Sequence, residues 1–445
     1  MLFRLHQFSR LLLRVHVFAL ALIASLAALL PMQAQAVPAF ARQTGQNCVA
    51  CHAGGQFPEL TSYGRLFKLT GYTIGERTIP LSGMGLVSSS SIASAPPDTA
   101  KHAEPIFATA SLFLAGKITD NIGAFTQLTY DPYALDNGNG SFSGHTQIDN
   151  VDIRYANHII QDKQDWIYGV SLNNNPSITD PWNSAAAWMQ YVPVPSPSSS
   201  QFIDGAAPYP GFASGGNIAG LNAYLFWNRT VYAEVGAYGT ANRAFSFMSA
   251  GADPRPQLSG FNNPYWRLAL THEWGPHNLM VGTSGMVARI YDAPTDIADP
   301  ATISQFRNVG MDAQYQYILD PHTVTAQLAY MQSQQTYSDI ASTALPNPGL
   351  SDSNDVTRAK VSYVYQAKYG GSLSYFNLTG TTNNQSDPST RGVTYETFWI
   401  PKQNIRVGVQ YTVYNAYQGA TTNYDGNGRN ASDNNSMFLY AWFAY

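Results

Sequence analysis

Ile405-Arg406-Val407-Gly408-Val409-Gln410-Tyr411-Thr412-Val413 carries an apolar residue at every odd position and a polar residue or glycine at every even one. Successive side chains of a strand point to opposite faces, so this stretch has one apolar and one polar face. The same alternation recurs upstream. Val309, Met311, Ala313, Tyr315 and Tyr317 alternate with Asp312, Gln314 and Gln316, and Trp266, Leu268 and Leu270 with Arg267 and Ala269. Val151, Ile153 and Tyr155 alternate with Asp152 and Arg154, and Val361, Tyr363 and Tyr365 flank Ser362 and follow Lys360. A soluble β-sandwich also alternates. These runs, however, are roughly 9–14 residues long, the length of a tilted membrane strand, whereas strands of soluble proteins average about 5–6.

The connections alternate too. Tight turns are expected at Thr119-Asp120-Asn121, Asp162-Lys163-Gln164, Asn228-Arg229, Gly275-Pro276, Asp320-Pro321, Gly370-Gly371 and Pro401-Lys402-Gln403. Between them lie long loops at 131–146, 173–216, 240–263, 292–304, 335–354 and 418–433. Short periplasmic turns opposite long external loops characterise outer-membrane barrels. Counting in this way gives fifteen strands from Ile106 onward and one more at Leu81–Ile92. The reading is all-β: an antiparallel transmembrane barrel of about sixteen strands, occupying 79–445, with both termini in the periplasm.

Composition agrees. Of 445 residues, 12% are charged and 13% aromatic, with 28 Tyr, and no apolar run beyond the N-terminus is long enough for a membrane helix. Arg4, Arg10 and Arg14 precede an apolar run from Val15 to Leu30, and Ala34-Gln35-Ala36 provides small residues for cleavage, so 1–36 reads as a signal peptide. Its removal takes three Arg and no acid, moving the formal charge from −4 to −7 and arguing against nucleic acid as a partner.

Between signal and barrel, 37–78 holds Cys48-Val49-Ala50-Cys51-His52, which includes both cysteines of the chain. C-x-x-C-H is the attachment pattern of one covalent c-type haem (heme c): the thiols form thioethers, and His52 is the proximal axial ligand of the iron. A zinc site would need two more soft ligands, and a thioredoxin-type pair would need a βαβ setting. Met84 is a candidate second axial ligand, beside its plain reading as a strand residue. Arg42, Arg65 and Lys68 flank the motif and could pair with haem propionates, Arg65 first among them. The polar strand faces carry both signs (Asp152, Arg154, Glu234, Arg267, Asp312, Arg358, Lys360, Arg406), so the interior is expected to be wet or filled by polar contacts. No Ser/His/Asp, HExxH or P-loop arrangement is present to support hydrolytic or phosphoryl-transfer chemistry.

Phe40-Ala41-Arg42-Gln43-Thr44-Gly45, the haem motif, Phe57-Pro58-Glu59-Leu60 and Tyr63-Gly64-Arg65-Leu66-Phe67-Lys68-Leu69-Thr70-Gly71-Tyr72 together resemble the N-terminal segment of the outer-membrane fused monohaem cytochrome–porins. Asn173-Asn174-Asn175-Pro176, Asp180-Pro181-Trp182-Asn183 and Arg429-Asn430-Ala431-Ser432-Asp433-Asn434-Asn435 extend the resemblance along the mature chain. It implies a Gram-negative outer-membrane oxidoreductase. Electrons would pass from an extracellular donor, Fe(II) first, through one haem to a periplasmic cytochrome or copper protein. Separately, a segment of about 40 residues is too small to bury a haem well by itself, so, given the short spacing from Tyr72 to the first strand, it is expected to tuck into the lumen, with outer-membrane lipid around the wall. The alternative is a solute porin whose haem plug is structural or sensory. Asp-rich external loops would offer oxygen ligands for passing Fe(II), beside their plain reading as turn residues.

Overall fold

The computed structural model describes residues 38–55, 59–95, 104–137, 141–184, 217–251, 257–292 and 299–445. The signal segment Met1–Ala36 lies outside the described residues. Three short helices open the described chain: α1 (Pro38–Thr44), α2 (Cys48–Cys51) and α3 (Ser62–Leu69). The wall follows as β1 (Leu81–Ile92), β2 (Ile106–Lys117), β3 (Ile122–Asp136), β4 (Phe142–Gln161) and β5 (Gln164–Asn173). After α4 (Pro176–Thr179) come β6 (Ile218–Trp227), β7 (Val231–Thr240), the two-residue β8 (Gln257–Leu258), β9 (Asn263–Trp274) and β10 (His277–Tyr291). Next are β11 (Ile303–Leu319), β12 (His322–Thr336), α5 (Asp339–Thr343) and β13 (Asp352–Tyr365). The wall ends with β14 (Tyr369–Gly380), β15 (Thr390–Lys402), β16 (Ile405–Ala416) and β17 (Ser436–Ala444).

Each long strand pairs antiparallel with its neighbours in sequence, and β7 reaches β9 directly past the short β8. β1 pairs with both β2 and β17, from Met84↔Ala444 to Ile92↔Ser436 on the second edge. Gly83 and Tyr445 exchange backbone hydrogen bonds of 2.6 and 2.8 Å at this seam. Setting β8 aside, the result is a closed sixteen-stranded antiparallel barrel. Closure satisfies every wall N–H and C=O without water, the condition for crossing lipid with strands.

The alternation read from sequence sorts the two faces. Leu221, Val235, Leu268, Leu270, Val281, Met311, Leu328, Val361 and Leu373 are exposed on the outside. Asp152, Arg154, Glu234, Arg267, Asp312 and Arg358, at alternating positions, are buried inside. An apolar outer band over a polar interior defines a membrane barrel of the outer-membrane, porin-like type.

Two-residue turns join strands at the lower rim. Asp162-Lys163 and Asn228-Arg229 have both φ values positive, the conformation whose twist suits tight hairpins. One expected turn is displaced. Gly370-Gly371 lies inside β14, and Gln366-Ala367-Lys368 makes the turn instead, with φ of 53° and 51° at Gln366 and Ala367. The glycine has another purpose: a Cβ at Gly370 would sit 2.3 Å from the Phe398 ring. The 173–216 connection also departs from a simple external loop, because its described part, through Ser184, folds inward.

Leu373 is central on the outer face of β14 and half exposed, while Ser374 faces the lumen. Leu373→Arg should cost about 2–4 kcal/mol of unfolding free energy in lipid vesicles and Ser374→Arg much less. Denaturant titration checks this, and equal costs would mean the faces are misassigned.

Candidate haem site

Residues 38–78 pack against the inner wall. The Tyr72 hydroxyl donates to Asp152 Oδ2 on β4 (2.6 Å), and the Tyr224 hydroxyl on β6 donates to the Leu69 carbonyl (2.8 Å). Lys360 Nζ on β13 contacts Glu59 Oε1 (2.7 Å), and Gln403 Oε1 accepts from the Cys48 N–H (3.4 Å). Gly54 lies on Val364. These partners belong to strands or turns on different sides of the wall.

Locally, α2 is one turn with Cys48 and Cys51 at its two ends, and His52 N–H bonds to the Cys48 carbonyl at 2.8 Å. The chain then doubles back. Thr61 N–H bonds to Cys51 O (2.9 Å), and the Thr61 hydroxyl accepts from Gly64 N–H (3.1 Å), capping α3. Gly64 is required by this crossing, since a Cβ there would lie 2.1 Å from Cys51 O. The C-x-x-C turn and α3 are therefore locked together.

Burial lowers the His52 pKa to about 4, against the pull of Glu59, so the imidazole is neutral at ordinary pH. Neutral imidazole is the form that ligates iron. Burial, helped by Cys48, raises the Cys51 thiol to about 11. Two cysteines on one turn beside a neutral histidine fit covalent c-haem, for which Cys48 and Cys51 would be the attachment points and His52 the axial ligand.

Arg65 is not aimed at open space. It is buried and donates to Leu60 O (2.7 Å), Gln316 Oε1 (3.0 Å), Ser62 Oγ (3.0 Å) and Glu273 Oε1 (3.4 Å). It fastens α3 to β9 and β11. Arg42 donates to the Ile79 and Leu81 carbonyls at the start of β1. Lys68 donates to Asp180 O at 2.9 Å, and burial, with Arg154 nearby, lowers its pKa to about 8. Met84 shares the lumen face with Ala444 and Ser111, its register partners. His145 meets the Ala250 carbonyl (3.2 Å) and His158 meets Asp165 (2.7 Å), whereas His272, His277 and His322 sit on the outer face at the lower rim. His102 lies outside the described residues.

Several of the charged lumen residues pair with one another. Arg267 binds Asp312 with two bonds of 2.8 Å and Asp180 with one of 3.0 Å, while Arg154 binds Asp152 at 2.7 Å. This network also holds the inward strap after α4 by its carbonyls. Arg154 donates to Thr179 O, Lys68 to Asp180 O, Gln314 to Trp182 O and Gln327 to Asn183 O. Trp182 is fully buried, its ring 6.0 Å from the Arg65 guanidinium and 5.9 Å from that of Arg267. Periodicity marked the charged residues as inward but could not pair them, nor show that Glu59 and the strap would join them.

The external aspartates serve the loops. Asp352 accepts from Tyr337, Thr381, Asn383 and Asn384, and Asp425 from the N–H groups of Asn427 and Arg429. Among the described residues no three His, Cys, Asp or Glu side chains gather as a metal site.

No family model and no curated protein matches the chain. Among solved structures it is similar to the outer-membrane channel DcaP of Acinetobacter baumannii, with 13% identity over 82% of this chain and 96% of the other, TM-score 0.46. It is also similar to a loop-deleted OmpT of Vibrio cholerae (11%, 83% and 99%, 0.45) and to an anion-selective porin of Comamonas acidovorans (11%, 82% and 98%, 0.44).

Two outcomes test this arrangement. Arg267→Met leaves two buried carboxylates without their cation, so it should cost about 3–5 kcal/mol, measured as a lowered denaturation midpoint in detergent. Glu59 supplies a pH test. Burial opposes its ionisation, but Lys360 outweighs burial and holds its carboxyl below 4.5. The stability it contributes is complete above the ordinary carboxylate pKa and is lost as pH falls through the lower folded value. Protection of residues 38–78 from protease should therefore fall on acidification, and Glu59→Gln should begin less protected and lose less.

Proposed function

We propose that the chain is an outer-membrane electron conduit of the cytochrome–porin type. Cys48 and Cys51 would hold one c-type haem, with His52 as proximal ligand. The donor is extracellular, Fe(II) by the resemblance of the N-terminal runs, and the acceptor is a periplasmic cytochrome or copper protein. The haem supplies one-electron redox chemistry when bound. The observation that carries the reading is the packing of the C-x-x-C-H turn against the inner wall, through Gln403, Val364 and the Glu59–Lys360 pair. His52 presents a neutral imidazole that is partly buried, and the Arg267 network holds the strap beside the segment.

A solute porin with a structural or sensory haem plug is the second reading, and the porin-like barrel itself favours it. So does a strip of hydroxyls and amides on the inner face of β2–β4, which Thr129 joins to Asp149 at 3.0 Å. Ser111 meets Thr129 at 2.9 Å, Gln127 donates to Ser111 at 3.1 Å, and Asn150 donates to Gln127 at 2.9 Å. Hydroxyls and amides of this kind suit polar solutes.

Haem-loaded protein in sealed liposomes separates the two. Under anaerobic conditions, external Fe(II) should reduce the haem while the vesicles resist swelling in small sugars. Cys48→Ala with Cys51→Ala should insert normally and lose covalent haem and Fe(II)-driven reduction together. Free swelling with a haem that stays oxidised would establish the porin reading instead.

A further inference from the structure

The lower outer rim repeats one device. His277 opens β10 and faces Tyr317 in register, with ring centroids 5.2 Å apart, and its Nδ1 bonds to the hydroxyl of the diagonal neighbour Tyr315 at 2.7 Å. His322 opens β12 and faces Tyr365 in register at 5.6 Å, and its Nδ1 bonds to the diagonal Tyr363 hydroxyl at 2.8 Å. Each unit is a histidine just after a tight turn, set against a Tyr-x-Tyr near the end of the next strand (Tyr315-Gln316-Tyr317, Tyr363-Val364-Tyr365). The units stand two strands apart, about 10 Å. Trp274 stacks on His277 at 5.3 Å and on His272 at 5.4 Å, fixing the first unit from the side.

We propose that these two His–Tyr units bind the phosphodiester headgroups of periplasmic-leaflet phospholipids. Directly above them on the same outer face lie Leu279, Val281, Val324 and Val361, part of the lipid-facing band. The row is continuous with that band, and the group found one step below acyl chains is a headgroup. The chemistry matches. An imidazole and a phenol bring at least one N–H and one O–H to each pair, and their mutual bond uses one. Whichever atom donates, one hydrogen remains, and the Nε2 edge, away from the Tyr bond, stays available. Phosphate oxygens only accept, so a remaining N–H or O–H is what they need. Aromatic belts are general in such barrels. What sets this rim apart is the pairing of imidazole with phenol, twice, in one geometry.

The test uses the full-length haem-loaded protein in a sugar detergent without phosphate. Lipid retention is read by native mass spectrometry after adding phosphatidylglycerol, or diacylglycerol with the same chains. The wild-type protein should retain phosphatidylglycerol over diacylglycerol. His277→Phe with His322→Phe, which keeps the apolar surface, should lower that preference about tenfold. The matching Gln variant keeps an N–H donor and should retain most of the preference. It also keeps the idea testable should the Phe variant fail to insert. Equal retention by wild type and Phe variant, or equal binding of the two lipids, would overturn the proposal. Release of bound lipid by inorganic phosphate would overturn it as well, by making the rim an anion site that needs no lipid. None of these readouts involves haem or iron, so the outcome is separate from that of the conduit reading.

Discussion

A backbone inside a bilayer has no water to bond to, and that constraint governs this molecule. Each wall N–H and C=O must find a partner in a neighbouring strand, so the sheet must close. Closure through β1 and β17 then divides every strand into an outer and an inner face. The outer face needs only to be apolar. The inner face is free to carry charge, and it holds Asp152, Arg154, Glu234, Arg267, Asp312 and Arg358.

Charge in an enclosed space is costly unless it is paired. The lumen meets that cost by making its charges into fasteners. Arg267 joins β9 to β11 and to the strap, Arg154 meets Asp152 and the strap, and Lys360 meets the segment that bears the cysteines. The same contacts that satisfy buried ions also fix where Cys48, Cys51 and His52 lie. Stability of the interior and placement of the candidate cofactor site are one arrangement.

The wall was largely legible in the sequence because lipid imposes a period of two over long strands. A count of about sixteen strands was anticipated, the first near Leu81–Ile92, where β1 lies. The Gly370-Gly371 turn was misread because glycine signals both turns and close approaches, and here it makes room for Phe398. The turn itself uses Gln366 and Ala367, which carry no turn signature. Cys48, Cys51 and His52 were legible as a motif. Their surroundings were not, because Glu59–Lys360 and Arg65–Gln316 join residues 301 and 251 positions apart. Periodicity sees only neighbours. It likewise read 173–216 as external, although Asp180 and Trp182 turn inward once Arg267 and Gln314 are there to receive them.

The seam between β1 and β17 imposes an order of events. β17 is the last strand in chain order, and until it docks the wall is an open sheet. The described residues of 38–78 touch β4, β6, β9, β11 and β13, so the closed seam joins a wall that meets them from several sides.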